Sequence, residues 1–370
     1  MGLNASNRQV SFANFLNEPQ GILGGTGLAT AFNSPPLMSA RGLGILGQAM
    51  APPTQAPLLG GLNLVSLAND APKWIYVTER FKIFLSNLEL TSAQHQDGLT
   101  KACGVISCLN AAYYGHSSNT ENAFFIGSWA KKTRIRPPRD VDIYFLLPLA
   151  VYNRFEAYSG NANKQSALLQ EVKSKLLLSY TTSTIKGDGP VVLADFNSYT
   201  VEVVPAFLYD QNELSYYVSN TKDGGSYKKT MPFHEIDAIT AADSRNANNV
   251  RRLIHMLKAW QAYCSVQIKS FYLELLAIEF TDQWAFNQCD YFYYDWITRD
   301  FFKWVVTKAN AFLWAPGTNE KLWLGDAWKS RADSAYLRAL KACDYERAND
   351  MGNAGDEWQK IFGPNIPKWI

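Results

Sequence analysis

The sequence predicts an α+β protein in which a long helix leads into a small mixed sheet and a helical lobe follows. Three observations carry this. Phe81, Phe84, Leu85 and Leu88 recur at i, i+3, i+4 and i+7, the stripe of an amphipathic helix. Short apolar runs (Ala123 to Ile126, Ile143 to Leu147, Val191 to Phe196, Tyr199 to Leu208) are broken by turn-forming residues, as strands are. Beyond residue 237 the helical spacing returns, with Val250, Leu253, Ile254 and Leu257 on one face.

The composition bounds the function classes. A chain of 370 residues suggests two or three domains, and a hydrophobic content of 47% with 18% charged residues supports a sizeable core. The net charge is only +2, so no global basic field calls for a nucleic-acid partner. Cys103, Cys108, Cys264, Cys289 and Cys343 show no zinc spacing and read as buried free thiols. No apolar run reaches the ~18 residues of a membrane span. The N-terminus lacks the basic region and apolar core of a secretory signal. A cytoplasmic location, with no membrane partner, is expected.

Three segments are expected. Residues 1–72 are rich in Gly, Pro, Ala, Leu and Ser and almost free of charge, which predicts a poorly ordered extension. An α/β core is expected over 73–236. It opens with a helix or helical pair over 76–115, closed at Gly115 by a left-handed cap. Leu168, Leu169, Val172, Leu176 and Leu177 predict a further helix. A turn is expected at Gly187 to Pro190 and a hairpin at Asn197-Ser198. The helical lobe would span 237–370, with Ser270 as an N-cap. Its last long helix, from Ala327, carries Ala332, Ala335, Ala339 and Ala342 for close packing.

The chemistry concentrates in residues 127–142, GSWAKKTRIRPPRDVD. Two strands are expected to frame a loop, with Asp140 and Asp142 on the second. Side chains two apart on a strand share a face, about 7 Å apart. Glu202 is a single acid among valines on a later strand. If the two strands are neighbours, three carboxylates converge, and a divalent ion relieves their repulsion. Oxygen ligands suit Mg²⁺. Gly127 lets backbone approach a phosphate, and Ser128 and Thr133 can hydrogen-bond its oxygens. Lys258 is a cation within an apolar helix, and Ser270 at a helix start suits an anion. His234 and His255 stand in no catalytic arrangement and read as structural. The Gly-rich stretch at 24–30 lacks the Lys-Ser/Thr ending of a phosphate loop.

This stretch resembles the signature of DNA-polymerase-β-type nucleotidyltransferases, a Gly-Ser followed by Asp-x-Asp with a third acid on a later strand. The form GS-x4-T-x-I-x-P…D-V-D-I, with VEVVPAF, is closest to bacterial CD-NTases. These are the cyclic-oligonucleotide synthases of CBASS anti-phage systems, relatives of animal cyclic GMP-AMP synthase. RRLIHMLKAWQ and KSFYLELLAIEF resemble that family's helical lobe, so the resemblance covers about residues 74–370. It implies a polymerase-β-like core with a long spine helix. It implies that Asp140, Asp142 and Glu202 are catalytic and bind two Mg²⁺, with Mn²⁺ as a substitute. Gly127, Ser128, Thr133, Lys258 and Ser270 would hold a donor triphosphate, and Phe271 would stack on a base. The expected partners are NTP substrates (ATP, GTP or a pyrimidine NTP), a downstream effector and an accessory activating protein.

Two departures stand out. The third acid is Glu where Asp is commoner, and Trp129 occupies a position usually smaller or tyrosine. The zinc insertion of the animal DNA sensor has no counterpart, which argues against duplex DNA as trigger. A linear oligonucleotide synthase, an RNA or protein nucleotidyltransferase, and a silent nucleotide-binding assembly protein are the alternatives. The basic loop 131–139 is read as the rim of the donor pocket.

Overall fold

A computed structural model describes residues 74–370 apart from 159–162, 182 and 319. The expected extension at 1–72 lies outside the described residues. The expected N-terminal helical pair is two helices, α1 (Ile75–Leu88) and α2 (Ser92–Tyr114). Thr91 starts α2 with a capping box: its hydroxyl accepts from Gln94 N, and the Gln94 side chain accepts from Thr91 N. Gly115 closes α2 in the left-handed conformation, φ 77°. Asn110, fully buried, donates to Ser118 O and Glu121 O and so fixes the entry to the sheet.

The sheet has seven strands: β1 (Ala123–Phe125), β2 (Asp140–Leu146), β3 (Thr184–Asp188), β4 (Val191–Asp195), β5 (Thr200–Asp210), β6 (Ser215–Asn220) and β7 (Ser226–Thr230). The path runs β1-β2-β5-β4-β3, and β6 pairs with the far half of β5 and with β7. Only β2 and β5 run parallel. Between β1 and β2 lies not a bare loop but a short helix, α3 (Gly127–Lys131). The turn expected from Gly187 is tighter, because Gly187 and Asp188 belong to β3. The polar strands β6 and β7 escaped the sequence reading, since SYYVSN and SYKKT carry no apolar run.

The pleat decides which side of the sheet is core. Val141, Ile143, Phe145, Val201 and Val203 point to one face, which α2 and α5 (Lys164–Ser179) cover with Leu99, Ile106, Leu168 and Val172. A shorter helix, α4 (Leu149–Glu156), precedes α5. The alternate residues Tyr144, Val204 and Ala206 point the other way, into a smaller cluster with Phe124, Tyr216 and Phe233. Asp140, Asp142 and Glu202 have this second parity.

The remaining helices are α6 (Pro232–Arg245), α7 (Asn249–Tyr263), α8 (Ser270–Gln283), α9 (Tyr294–Val305), α10 (Lys329–Arg347) and α11 (Met351–Phe362). The expected alanine face of α10 is buried at Ala332, Ala335, Ala339 and Ala342. A two-stranded ribbon, β8 (Phe312–Trp314) and β9 (Lys321–Trp323), interrupts the helices and was not expected. Helix α1 packs on these helices rather than on the sheet: the Phe81 ring lies 5.3 Å from Trp358 and Phe84 lies 4.8 Å from Phe362. Arg80, fully buried on α1, pairs with Glu346 at 2.9 Å. It also donates to Met351 O, Pro367 O and Lys368 O, so the final residues are pinned to α1.

Candidate active site

The parallel register of β2 and β5 places Asp142 directly opposite Glu202, and Asp140 opposite Thr200. On neighbouring strands opposite residues share a face, so the two acids meet, and they share a side-chain hydrogen bond. Burial, then the neighbouring carboxylates, pushes both carboxyls well above the ordinary range. Asp140, more exposed, is raised chiefly by burial and partly offset by Arg139. Among the described residues no three His, Cys, Asp or Glu side chains stand close enough to form a ready ion site. The expected convergence of three carboxylates is therefore a contact of two, with Asp140 one pleat away. The two carboxyls meet side by side, where a bound cation would take them as separate oxygen ligands.

The donor chemistry fits such a cation. All three groups are carboxylates, and hard divalent ions prefer oxygen. Gly127 packs against this set: with φ +55°, a Cβ there would lie 2.2 Å from Asp142 Oδ2. Ile126 N donates to Asp142 O, so the same strand-to-helix corner holds the acid from both sides. Trp129 explains why a large ring occupies its position. It is buried, stacks on Phe125 at 5.5 Å, and its Nε1 donates to Asp140 O at 2.9 Å. The indole thus anchors the backbone that carries the first acid.

A cleft of about 550 Å³ opens before the acids. Gly127, Ser128, Thr133, Asp140 and Asp142 line it from the sheet side; Lys258, Ser270 and Phe271 line it from α7 and α8. Eight of the nine expected site residues thus border one cavity, and Glu202 joins through Asp142. Leu88, Tyr199, Tyr263, Pro364 and Asn365 complete its walls, so the pinned C-terminal residues form part of it.

Several expectations need correction. Ser270 is not the N-cap of α8 but its first residue; Lys269 holds the cap position without a side-chain bond. The Ser270 hydroxyl donates instead to Gln261 Oε1 at 2.9 Å, across to α7. Lys131 borders the cleft, but as a paired cation and not an open rim charge. It is buried on α3, donates to Glu235 and Glu274, and lies 4.7 Å from the Phe271 ring centroid. Arg134 packs over the Trp129 ring at 4.9 Å and, with Arg136 and Arg139, lines the cleft as expected of the basic loop. Lys258 has all three donors engaged, by Thr133 O, Thr133 Oγ1 and Glu274 Oε1, each at 2.9 Å. His255 is structural as expected: buried, bonded to Lys132 O, and lowered by burial to about 3. His234 Nδ1, by contrast, is buried without a partner.

Glu274 was missed. It is buried on α8 and accepts from Thr133 Oγ1 and Lys131 Nζ at 2.8 Å and from Lys258 at 2.9 Å. Burial alone would raise its carboxyl, but Lys258 and Lys131 overcome this and hold it down, at about 2. A signal existed: Glu274 is an acid inside the apolar run of FYLELLAIEF, where an unpaired carboxylate is costly.

The chain is similar to known proteins over the elements that carry this site. Residues 75–243 match the family model of the Second Messenger Oligonucleotide or Dinucleotide Synthetase domain. A protein of Bacillus cereus (strain VD146) described as a probable cyclic nucleotide synthase is 24% identical over 281 residues, 65% of this chain and 81% of that protein. Among solved structures, CdnC of E. coli MS115-1 in complex with a HORMA protein is similar, with a TM-score of 0.56 and 17% identity over 78% of this chain and 97% of that one. So is the Vibrio cholerae cyclic AMP-GMP synthase DncV bound to a linear intermediate, with a TM-score of 0.54 and 14% identity over 82% and 90%. The structural likeness shows the polymerase-β-like fold, and the domain match covers both strands that carry the acids. Residues 75–243 thus form a segment that matches the Second Messenger Oligonucleotide or Dinucleotide Synthetase domain, on a fold shared with solved cyclic-nucleotide synthases.

Proposed function

We propose that this chain joins NTPs in the cleft between sheet and helices, using Asp140, Asp142 and Glu202 as ligands for two Mg²⁺, in anti-phage defence of the CBASS type. The observation that carries the site assignment is the register of β2 and β5, which sets Glu202 beside Asp142 at the mouth of a cleft walled by Lys258, Ser270 and Phe271. When bound, the metal pair lowers the pKa of an acceptor hydroxyl and neutralises charge on the donor phosphate. Glu202, on the adjacent strand, stands nearest the acceptor side. Gly127 keeps the wall low enough for a phosphate to approach Asp142. Ser128 and Ser270 offer hydroxyls from opposite sides, and Phe271 offers a ring face to a base. Pyrophosphate leaves as each linkage forms, and closure of the chain on itself gives the cyclic product.

The structure of CdnC with a HORMA protein is a precedent for a protein partner, and we extend the expectation of such an activator to this chain. The cyclic product would act on a separate effector.

The test is incubation of the purified chain with the four NTPs, each α-labelled in turn, with Mg²⁺ or Mn²⁺, followed by phosphatase and mass spectrometry. A phosphatase-resistant product that Asp142→Ala abolishes is the expected result. A phosphatase-sensitive ladder would show that the site extends linear chains instead. Equal product from Asp142→Ala would refute the assignment of the acids.

A further inference from the structure

We propose that Glu274 is a positioning residue of the nucleotide site, holding Lys258 and Thr133 in one wall of the cleft and keeping the buried Lys258 ammonium charged. The inference rests on the reading above that Lys258 serves the donor phosphates. Its own ground is geometric. Thr133 follows α3, Lys258 sits on α7 and Glu274 on α8, so three separate segments meet at one carboxylate.

The contacts form a closed triangle. Thr133 Oγ1 donates to Glu274 Oε1 at 2.8 Å and accepts from Lys258 Nζ at 2.9 Å, and Lys258 Nζ lies 2.9 Å from the same Glu274 oxygen. The second oxygen, Oε2, takes Lys131 at 2.8 Å. The Lys258 and Glu274 side chains are only 11% and 3% exposed, so little water reaches either. An ammonium buried to this degree ionises only beside an anion. The groups facing it are Glu274 on α8, Lys131 on α3 and, further off, Asp142 on β2. Lys131 repels it and itself draws on Glu235. Burial holds the Lys258 ammonium below its ordinary range, and Glu274 is the anion that orients it and opposes that loss of charge, at a point where Lys258, Thr133 and Glu274 all line the cleft.

The role differs from that of a phosphate ligand. An anionic Glu274 cannot attract a triphosphate; its removal would act through Lys258. With glutamine at 274, Lys258 remains protonated only at lower pH. The KM for NTP should then rise as the pH is raised, by up to about tenfold per unit once Lys258 deprotonates. The wild-type KM should stay flatter over the same range.

The experiment measures KM and kcat from pH 7 to 9.5 for the wild type, Glu274→Gln, Glu274→Asp, Lys258→Met and Glu274→Gln with Lys258→Arg, with thermal melting of each. Glu274→Gln should show the pH-dependent KM. The added Lys258→Arg, whose guanidinium stays charged, should remove that pH dependence. Glu274→Asp should raise KM without new pH dependence, since charge is kept and reach is lost. A folded Glu274→Gln with the wild-type KM profile would overturn the proposal. If that variant does not fold, a wild-type KM in Glu274→Asp would overturn it equally. An unchanged KM in Lys258→Met would instead refute the role of Lys258, a separate failure.

Discussion

Asp142 on β2 and Glu202 on β5 face each other across a parallel register, carboxyl against carboxyl. Both carboxyls are raised in the folded chain. Their favourable contribution to stability is therefore present below the unfolded values, about 4, and is lost as the pH rises toward neutrality. The metal-free protein should show a thermal midpoint that falls across this range. Mg²⁺ should restore it most above pH 7, where both acids can ionise. In Glu202→Gln the fall should be shallower and the response to Mg²⁺ weaker. Differential scanning fluorimetry with and without EDTA reads all three.

Removing an acid should cost far more activity than stability. Asp142→Ala or Asp142→Asn should reduce product formation on the order of 10³-fold. The metal-free protein should melt no lower at pH 8, because a repelling carboxylate has gone. Product quantification and melting curves on the same preparation check the two halves together.

Gly127→Ala should damage the site through the backbone. A left-handed residue other than glycine costs roughly 1–2 kcal/mol, and the new methyl would meet Asp142 Oδ2 at 2.2 Å. The side chain of Asp142 must then turn away. Activity should fall nearly as far as in Asp142→Ala, with only a modest loss in denaturant midpoint. A Gly127→Ala variant with wild-type turnover would exclude this contact as functional.

Trp129→Phe separates packing from anchoring. The ring volume largely remains, but Asp140 O loses its donor. The expected cost is about 1 kcal/mol of stability, with a drop in kcat that exceeds any change in KM. Trp129→Ala should cost roughly 3–5 kcal/mol. Urea titrations and steady-state kinetics distinguish the two.

Arg80→Met tests the pin on the C-terminal residues. It leaves Glu346 buried without its cation, which costs roughly 3–5 kcal/mol, and frees Pro367 O and Lys368 O. Because Pro364 and Asn365 line the cleft, KM should rise as well. Adding Glu346→Leu should recover part of the stability but not the KM.

The sequence by itself singled out the candidate site residues. Glycine at 127, the Asp-x-Asp of β2, and Glu202 among valines are local signals, because strand parity and the cost of lone acids act over a few residues. The helical periods placed α1, α2, α7 and the alanine face of α10 for the same reason. Only the tertiary structure decided what depends on long-range register. The pairing of β2 with β5 set Asp142 against Glu202, with Asp140 beside them. The packing of α7 against α8 took Ser270 from a cap to a partner of Gln261, and left Lys131 a paired cation at the cleft's border. Glu274 became a hub only because α3, α7 and α8 meet there, a relation that no spacing along the chain encodes.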